Sequence, residues 1–101
     1  MTLAEAGGGA EALCAVEHQY PDLLITDYHM PEMSGLELVR TLRAHGRQMP
    51  IVALSSDPSI AKGILAVGAN HFLPKSLPLP ELRTLLRALL GADQATLVVN
   101  E

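Results

Sequence analysis

Residues 23–35 have the sequence LLITDYHMPEMSG, in which a short apolar run ends in one carboxylate and a loop with Pro, Ser and Gly follows. Residues 23–26 are too few and too continuously apolar for an amphipathic helix, and helical patterns lie on both sides of them. They predict a strand that is buried on both faces of a parallel sheet. Asp27 then stands at the carboxyl end of this strand, where open α/β sheets place their ligands. A single Asp at such a place could also serve only to end the strand and begin a turn.

Two later segments repeat the pattern of an apolar run that ends in a polar or charged side chain. Residues 51–54 precede Ser55, and residues 70–74 precede Lys75. The carboxyl ends of parallel strands lie along one edge of a sheet, so we expect Asp27, Ser55 and Lys75 to converge there. A carboxylate can attack a phosphoryl group, while an ammonium and a hydroxyl stabilise its oxygens. Taken singly, Ser55 could be a helix-entry hydroxyl and Lys75 a solubilising charge.

Helical patterns alternate with these strands and predict a doubly wound parallel sheet. The predicted helices cover about residues 10–19, 34–46, 59–67 and 80–90. The apolar face of the first helix is predicted to consist of Ala12, Leu13, Val16 and Tyr20. Ser34 and Glu37 fit a capping box at the start of the second helix. Pro74 cannot donate to a strand ladder, which places its strand at a sheet edge. The last helix has the clearest apolar stripe, formed by Leu82, Leu85, Leu86, Leu89 and Leu90.

The composition predicts one domain without a nucleic-acid or membrane surface. The chain has 101 residues, a net charge of −4 and only 7 Lys and Arg residues, whereas phosphate backbones require a basic excess. No apolar stretch reaches the length of a membrane span and no signal segment is present, so we expect a cytoplasmic protein. The single cysteine, Cys14, is predicted to be a buried thiol. Arg40, Arg43 and Arg47 are predicted to form a solvated face.

The motif DYHMPEMSG at residues 27–35 resembles the phosphoacceptor loop of response-regulator receiver domains, and Ser55 and Lys75 follow in the order of that family. The resemblance covers about residues 1–90. It implies a flavodoxin-like, doubly wound parallel sheet with strand order 2-1-3-4-5. The first strand of the family, its acidic pair and its first helix are missing from the N-terminus. We therefore expect a receiver fold that is truncated or rearranged there.

The resemblance also implies a function. The chain would be a phosphoacceptor module of a two-component phosphorelay rather than an enzyme, phosphorylated on Asp27 by a sensor histidine kinase or a phosphotransfer protein. Ser55 and Phe72 match the switch residues of the family, and His29 and Asp57 match positions that tune the lifetime of the acyl phosphate. Signalling would use the face of the family's fourth helix, fifth strand and fifth helix, here residues 59–67, 70–74 and 80–90. Receivers dimerise or meet partners through this face, so a homodimer would form there, whereas a strand-swapped dimer would form by exchange of the C-terminal tail.

Magnesium is the cofactor that the resemblance implies. Its ligands would be Asp27 and the backbone carbonyl of His29, with Glu101 added if the C-terminal tail takes the place of the missing first strand. Mg²⁺ prefers octahedral oxygen ligation, so without the acidic pair we expect weak binding. The four histidines show no spacing of zinc ligands.

Two other functions compete with this interpretation. The missing acidic pair favours a pseudo-receiver that acts through protein contacts without phosphorylation. A haloacid-dehalogenase-like phosphatase would also use a strand-end Asp, a hydroxyl and a Lys. Such an enzyme needs a second Asp two residues after the nucleophile, where this chain has His29.

The tail leaves a second question open. We divide the chain into a receiver-like domain, residues 1–91, and a tail, residues 92–101. The missing first strand of the family lies at the centre of its sheet, and each buried unpaired backbone group there would cost about 1–3 kcal/mol. Residues 97–101, LVVNE, resemble that strand, with Asn100 and Glu101 in the place of the acidic pair. The tail is either a linker stub or a strand that fills this gap, within the chain or exchanged with a second copy.

Overall fold

Five parallel strands form one sheet in the computed structural model, which describes residues 2–29, 33–75, 79–90 and 96–100. The strands are β1 (Thr2–Ala6), β2 (Leu23–Asp27), β3 (Ile51–Ser55), β4 (His71–Pro74) and β5 (Thr96–Asn100). The helices are α1 (Gly9–Gln19), α2 (Gly35–Ala44), α3 (Ala61–Ala66) and α4 (Leu79–Leu90), and a 3-10 turn, Pro58–Ile60, leads into α3. The strand order is β1-β5-β2-β3-β4. The predicted doubly wound parallel sheet is therefore confirmed.

Among the described strands β5 is the last in sequence, yet it lies inside the sheet, between β1 and β2. β5 pairs in parallel with β1 on one side and with β2 on the other, so that Asn100 is the register partner of both Ala6 and Thr26. Its start is held by Asp22, whose backbone N–H donates to the Thr96 carbonyl and whose carboxylate accepts the Thr96 N–H, each over 2.7 Å. Of the two alternatives for the tail, the structure contains the strand, paired within the chain.

The two faces of the sheet carry two apolar clusters. The larger one packs under α1, α2 and α3 and includes Leu24, Leu38, Ile51, Ile64 and Val98. The smaller one, on the opposite face, contains Leu23, Ile25 and Val52. The side chains of residues 23–26 are thus buried on both faces, as their continuous apolar character predicts. No helix in the described part of the chain is long and apolar enough to cross a membrane.

The N-terminal ends of α2 and α3 follow local sequence rules. The Ser34 hydroxyl accepts the Glu37 backbone N–H at 3.2 Å, which confirms the predicted N-cap. The predicted helix 59–67 is shorter, because Asp57 caps a 3-10 turn before α3 begins at Ala61.

β4 lies at a sheet edge, as Pro74 requires. In the predicted stripe of α4, Leu85 is half-buried. The side chains of Leu82, Leu86, Leu89 and Leu90 lie outside the described residues.

Two predictions about α1 are wrong. Cys14 is exposed, because Ala12 and Val16 turn the buried face of the helix toward the sheet and Cys14 lies on the other face. Its thiol lies 3.5 Å from Nδ1 of His18, one turn further along. Tyr20, predicted to share the buried face, is 68% exposed. It ends the helix with a left-handed φ of 46° and stacks under the Arg47 guanidinium, 4.7 Å from the ring centre.

Arg43 also departs from the predicted solvated face. Its guanidinium is half-buried and donates five hydrogen bonds of 2.8–3.0 Å. The acceptors are the carbonyls of Gly68, Arg47 and Met49 and the side-chain oxygen of Asn70. Burial lowers the pKa of Arg43, yet an arginine stays charged in proteins. The end of α2 is thus joined to the loop between α3 and β4.

We expect Gly63→Ala to stabilise the protein by about 0.5–1 kcal/mol, because alanine loses less backbone entropy in a helix. A Cβ at Gly63, in α3, would meet only Leu36 Cδ1, at an ordinary contact distance of 3.7 Å. Urea unfolding followed by circular dichroism measures the gain. The control is Gly68→Ala, which should destabilise, since Gly68 has φ +122° and its Cβ would lie 2.7 Å from Arg43 Cγ. A loss of stability in Gly63→Ala would contradict the helical geometry described for α3.

Candidate functional site

Two of the predicted site residues form a direct ion pair at the carboxyl edge of the sheet. Nζ of Lys75 lies 3.3 Å from Oδ2 of Asp27, and the two side chains are 44% and 19% exposed. Asp27 closes β2, and Lys75 follows β4, two strands away in the sheet. The Lys75 side chain therefore reaches across the end of β3. The carboxylate is open enough to solvent for a small ligand to approach it.

Ser55 ends the strand between these two residues. Its register partner in β4 is Pro74, and the Lys75 backbone N–H donates to the Ser55 carbonyl at 3.3 Å. The Ser55 side chain is 1% exposed, and its hydroxyl oxygen accepts the Asp57 N–H at 3.0 Å. The three predicted residues thus lie at adjacent strand ends, although the Ser55 hydroxyl is engaged with the loop that follows β3.

The loop after Asp27 is held close to the strand. The Gly35 N–H donates to the Tyr28 carbonyl at 2.7 Å, and the Tyr28 N–H donates to the Leu54 carbonyl at 3.0 Å. A Cβ at Gly35 would lie 2.8 Å from the Asp27 carbonyl oxygen and from Tyr28 Cα, both backbone atoms that cannot yield easily. The glycine of the DYHMPEMSG motif is therefore required by the close approach of α2 to the end of β2.

His29 and Asp57 border the site. His29 is exposed, and its ring meets that of Tyr28 edge-on with centroids 4.9 Å apart. The hydroxyl and N–H of Ser59 bond to Asp57 and lower the pKa of its carboxyl, with a smaller contribution from the charge of His29. Asp57 therefore remains ionised near neutral pH. Phe72 is half-buried against the larger core cluster, and its register partner is Ala53.

A buried polar pair that the sequence did not predict lies beside the site. Asn100 and Thr26 are 1% and 0% exposed, and Nδ2 of Asn100 donates to the Thr26 hydroxyl at 3.1 Å. A polar residue at the core-facing end of an aliphatic run, as in LLIT, is the signal that could have predicted it. From the resemblance, Asn100 was expected only to take the place of one residue of the family's acidic pair.

Magnesium could use few of the described side chains. Within residues 2–29, 33–75, 79–90 and 96–100, no three His, Cys, Asp or Glu side chains lie close enough to hold a metal ion. Asp27 offers a half-buried carboxylate, but Lys75 is paired with it. Glu101, the other predicted carboxylate ligand, lies outside the described residues. Of the ligands that the resemblance implies, the described residues therefore include Asp27 and His29.

A parallel α/β sheet that gathers acidic, basic and hydroxyl residues at neighbouring strand ends fits a flavodoxin-like module of the response-regulator class. The family profile described as "Response regulator receiver domain" matches residues 1–87. The chain belongs to this family.

Known relatives agree with this assignment. Response regulator MprA of Mycobacterium leprae is 41% identical over 87 residues, which are 84% of this chain and 38% of that protein. The chemotaxis response regulator CheY4 of Vibrio cholerae superposes with a TM-score of 0.76 at 31% identity, over 84% of this chain and 74% of that one. The receiver domain of a sensor histidine kinase from Pseudomonas aeruginosa, solved with magnesium coordinated in its active-site cleft, has a TM-score of 0.76 at 28% identity, over 86% and 75%.

The family fixes the general role of the chain. It is a receiver domain of the response regulators, which are signalling modules of two-component systems. The chain spans about two fifths of the length of the curated relatives that it matches. The expected resemblance and the flavodoxin-like fold are confirmed.

Proposed function

We propose that this domain accepts a phosphoryl group on Asp27 and passes on the signal through its surface. The observation that carries the proposal is the ion pair of 3.3 Å between Asp27 and Lys75 at the carboxyl edge of the parallel sheet. A carboxylate that is partly exposed and lies beside an ammonium has both the nucleophile and the positive charge that phosphoryl transfer needs.

The chemistry is a displacement at phosphorus. An Asp27 oxygen attacks the phosphorus atom of a phosphohistidine or of acetyl phosphate. The P–N or P–O bond to the donor breaks, and its electron pair leaves with the imidazole or with acetate. The Lys75 ammonium stabilises the negative charge on the transferred oxygens. The Ser55 oxygen accepts the Asp57 N–H, and the hydroxyl proton of Ser55 can be donated to one of these phosphoryl oxygens. His29 and Asp57 lie at the edge of the site, where they would affect how water reaches the acyl phosphate.

Magnesium would assist by neutralising phosphoryl oxygens when bound. Asp27 and the His29 carbonyl would hold it, and Glu101 is a further candidate ligand. With so few carboxylates, we expect binding to be weak. The solved receiver with magnesium in its cleft supports the choice of metal.

The partners would be a sensor histidine kinase or a phosphotransfer protein, and the output would pass through α3, β4 and α4. Ser55 and Phe72 would be the residues that change position. Leu65 of α3 is 42% exposed and offers apolar surface on this side. A homodimer through the same face is the form we expect on activation.

One observation favours a second candidate function. Among the described residues, the edge that bears Asp27 lacks a cluster of three metal-ligating side chains. This favours a pseudo-receiver that binds partners without being phosphorylated, and the same experiment distinguishes the two functions.

We expect Asp27→Asn to abolish phosphoryl acceptance, because an amide is a poor nucleophile and Asp27 is the carboxylate paired with Lys75. The protein is incubated with acetyl phosphate, with and without Mg²⁺, and the acyl phosphate is measured by intact-protein mass spectrometry. Asp57→Asn is the matched control, since it removes the same charge at the same edge and should still be labelled. Equal labelling of Asp27→Asn and the wild type would refute the acceptor assignment. A wild type that stays unlabelled with Mg²⁺ and shows no change with beryllofluoride would favour the pseudo-receiver.

A further inference from the structure

We propose that Asn100 is a positioning residue that holds the end of the acceptor strand and the start of α1 through its side-chain amide, and that it is not a magnesium ligand. This role rests on the proposed function for its catalytic consequence, but its geometry is independent of phosphorylation. It explains why an amide occupies a place where the resemblance leads one to expect an acid.

The Asn100 amide uses both of its ends. Its oxygen accepts the Gly8 backbone N–H at 3.0 Å, and its nitrogen donates to the Thr26 hydroxyl at 3.1 Å. The backbone N–H of Gly8 can only donate, so the amide oxygen must face it and the NH₂ group must face Thr26. The side chain is 1% exposed, and a buried polar group with good partners is costly to alter.

The hydrogen bonds continue to the acceptor residue. The Thr26 hydroxyl oxygen accepts a hydrogen bond from the Asn100 NH₂ group, and the same hydroxyl donates a hydrogen bond of 3.0 Å to the Asp27 carbonyl oxygen. A chain of two donors thus runs from Asn100 through Thr26 to the backbone of Asp27. A carboxylate at position 100 could not begin this chain, because it has no proton to donate.

The amide oxygen of Asn100 binds the start of α1 through the Gly8 backbone N–H. Gly8 is the N-cap residue of α1, and it makes no side-chain capping hydrogen bond to the helix. The next residue, Gly9, is buried, and a Cβ there would lie 2.7 Å from Met33 in the loop after β2. By holding Gly8, Asn100 therefore keeps the first turn of α1 in contact with the loop that carries the phosphoacceptor motif.

Four variants of the full chain test the role. Asn100→Asp keeps the acceptor oxygen and the shape but loses the donor, and Thr26→Val keeps the shape but loses the hydroxyl. Thr26→Ser keeps the hydroxyl and serves as the conservative control, and the fourth variant combines Asn100→Asp with Thr26→Val. We measure the acetyl phosphate labelling rate at saturating Mg²⁺, the Mg²⁺ affinity, and the hydrogen exchange of the Gly8 amide.

We expect Asn100→Asp and Thr26→Val each to slow labelling on the order of tenfold, because misplacement of a reacting group is expensive. Thr26→Ser should label at the wild-type rate. The double variant should be no slower than either single variant, since both changes break one chain of bonds. Mg²⁺ affinity should not rise in Asn100→Asp, and its Gly8 amide should keep its protection.

Tighter Mg²⁺ binding with faster labelling in Asn100→Asp would overturn the proposal, because position 100 would then be a metal-ligand position. The proposal would also be overturned if the labelling rate of the double variant fell by the product of the two single-variant factors. If the variants fail to fold, exchange in the wild type still tests the bond: a Gly8 amide that exchanges as fast as an open loop would refute it. A wild type that cannot be labelled would refute the proposed function alone. The positioning role of Asn100 would still be tested by the exchange protection of the Gly8 amide and by the coupling of Asn100→Asp with Thr26→Val in urea unfolding.

Discussion

Deletion of residues 95–101 is expected to leave the protein unfolded under conditions in which the full chain is folded. β5 is hydrogen-bonded to β1 on one side and to β2 on the other, so its loss would uncover two inner strand edges. Each buried backbone group left without a partner costs about 1–3 kcal/mol. A domain with about 5–15 kcal/mol of total stability cannot lose several such bonds together with the buried Val98. Thermal unfolding by circular dichroism and the elution volume in size exclusion measure the loss.

A synthetic peptide of residues 95–101 provides the complementary control. Added in excess to the shortened chain, it should restore a folded signal, because the missing strand needs no covalent link to pair. Val98→Asp in the full chain should lower stability strongly for a separate reason, since it buries a charge in the larger core cluster. An unchanged melting temperature and elution volume in the shortened chain would contradict the position of β5 between β1 and β2.

Arg43→Ala is expected to destabilise the protein by about 3 kcal/mol, because it leaves several acceptors at the end of α2 without their donor. The guanidinium bonds to Gly68, Arg47, Met49 and Asn70, and the Asn70 side chain in turn accepts the N–H of Ile51 at the start of β3. Urea unfolding at neutral pH, followed by circular dichroism, measures the change.

Arg40→Ala is the matched control, since Arg40 lies on the same helix but is exposed. Its stability should stay within about 0.5 kcal/mol of the wild type. Arg43→Lys should fall between the two, because one ammonium cannot reproduce the planar fork of a guanidinium. Equal stabilities of Arg43→Ala and Arg40→Ala would show that the hydrogen bonds of Arg43 contribute nothing net.

Local sequence rules predicted the elements that depend on short-range physics. β2 follows from its continuous apolar run, and α2 begins at the capping box that Ser34 forms. The meeting of Asp27 with Lys75 follows from topology alone, since parallel strands bring their carboxyl ends to one edge.

The predictions that failed concern side chains whose surroundings come from distant parts of the chain. Arg43 appears solvated on a helical wheel, but the loop near Gly68 folds over it. Cys14 lies in an apolar helix, and only the rotation of that helix against the sheet determines that the thiol is exposed. The bonds of Asn100 join residues that are 74 and 92 positions apart, which no local pattern reports.

The place of β5 has a consequence for how the chain is made. Ribosomes extend a protein from its N-terminus, and domains fold as their residues emerge. Here β1 and β2 cannot become neighbours of their shared partner until residue 100 has been synthesised, because Thr2 pairs with Thr96 and Leu23 with Leu97. Contacts over such sequence distances give a high contact order and slow folding. Until β5 has been synthesised, the edges of β1 and β2 that pair with it therefore lack a partner strand and are available to chaperones or to another chain.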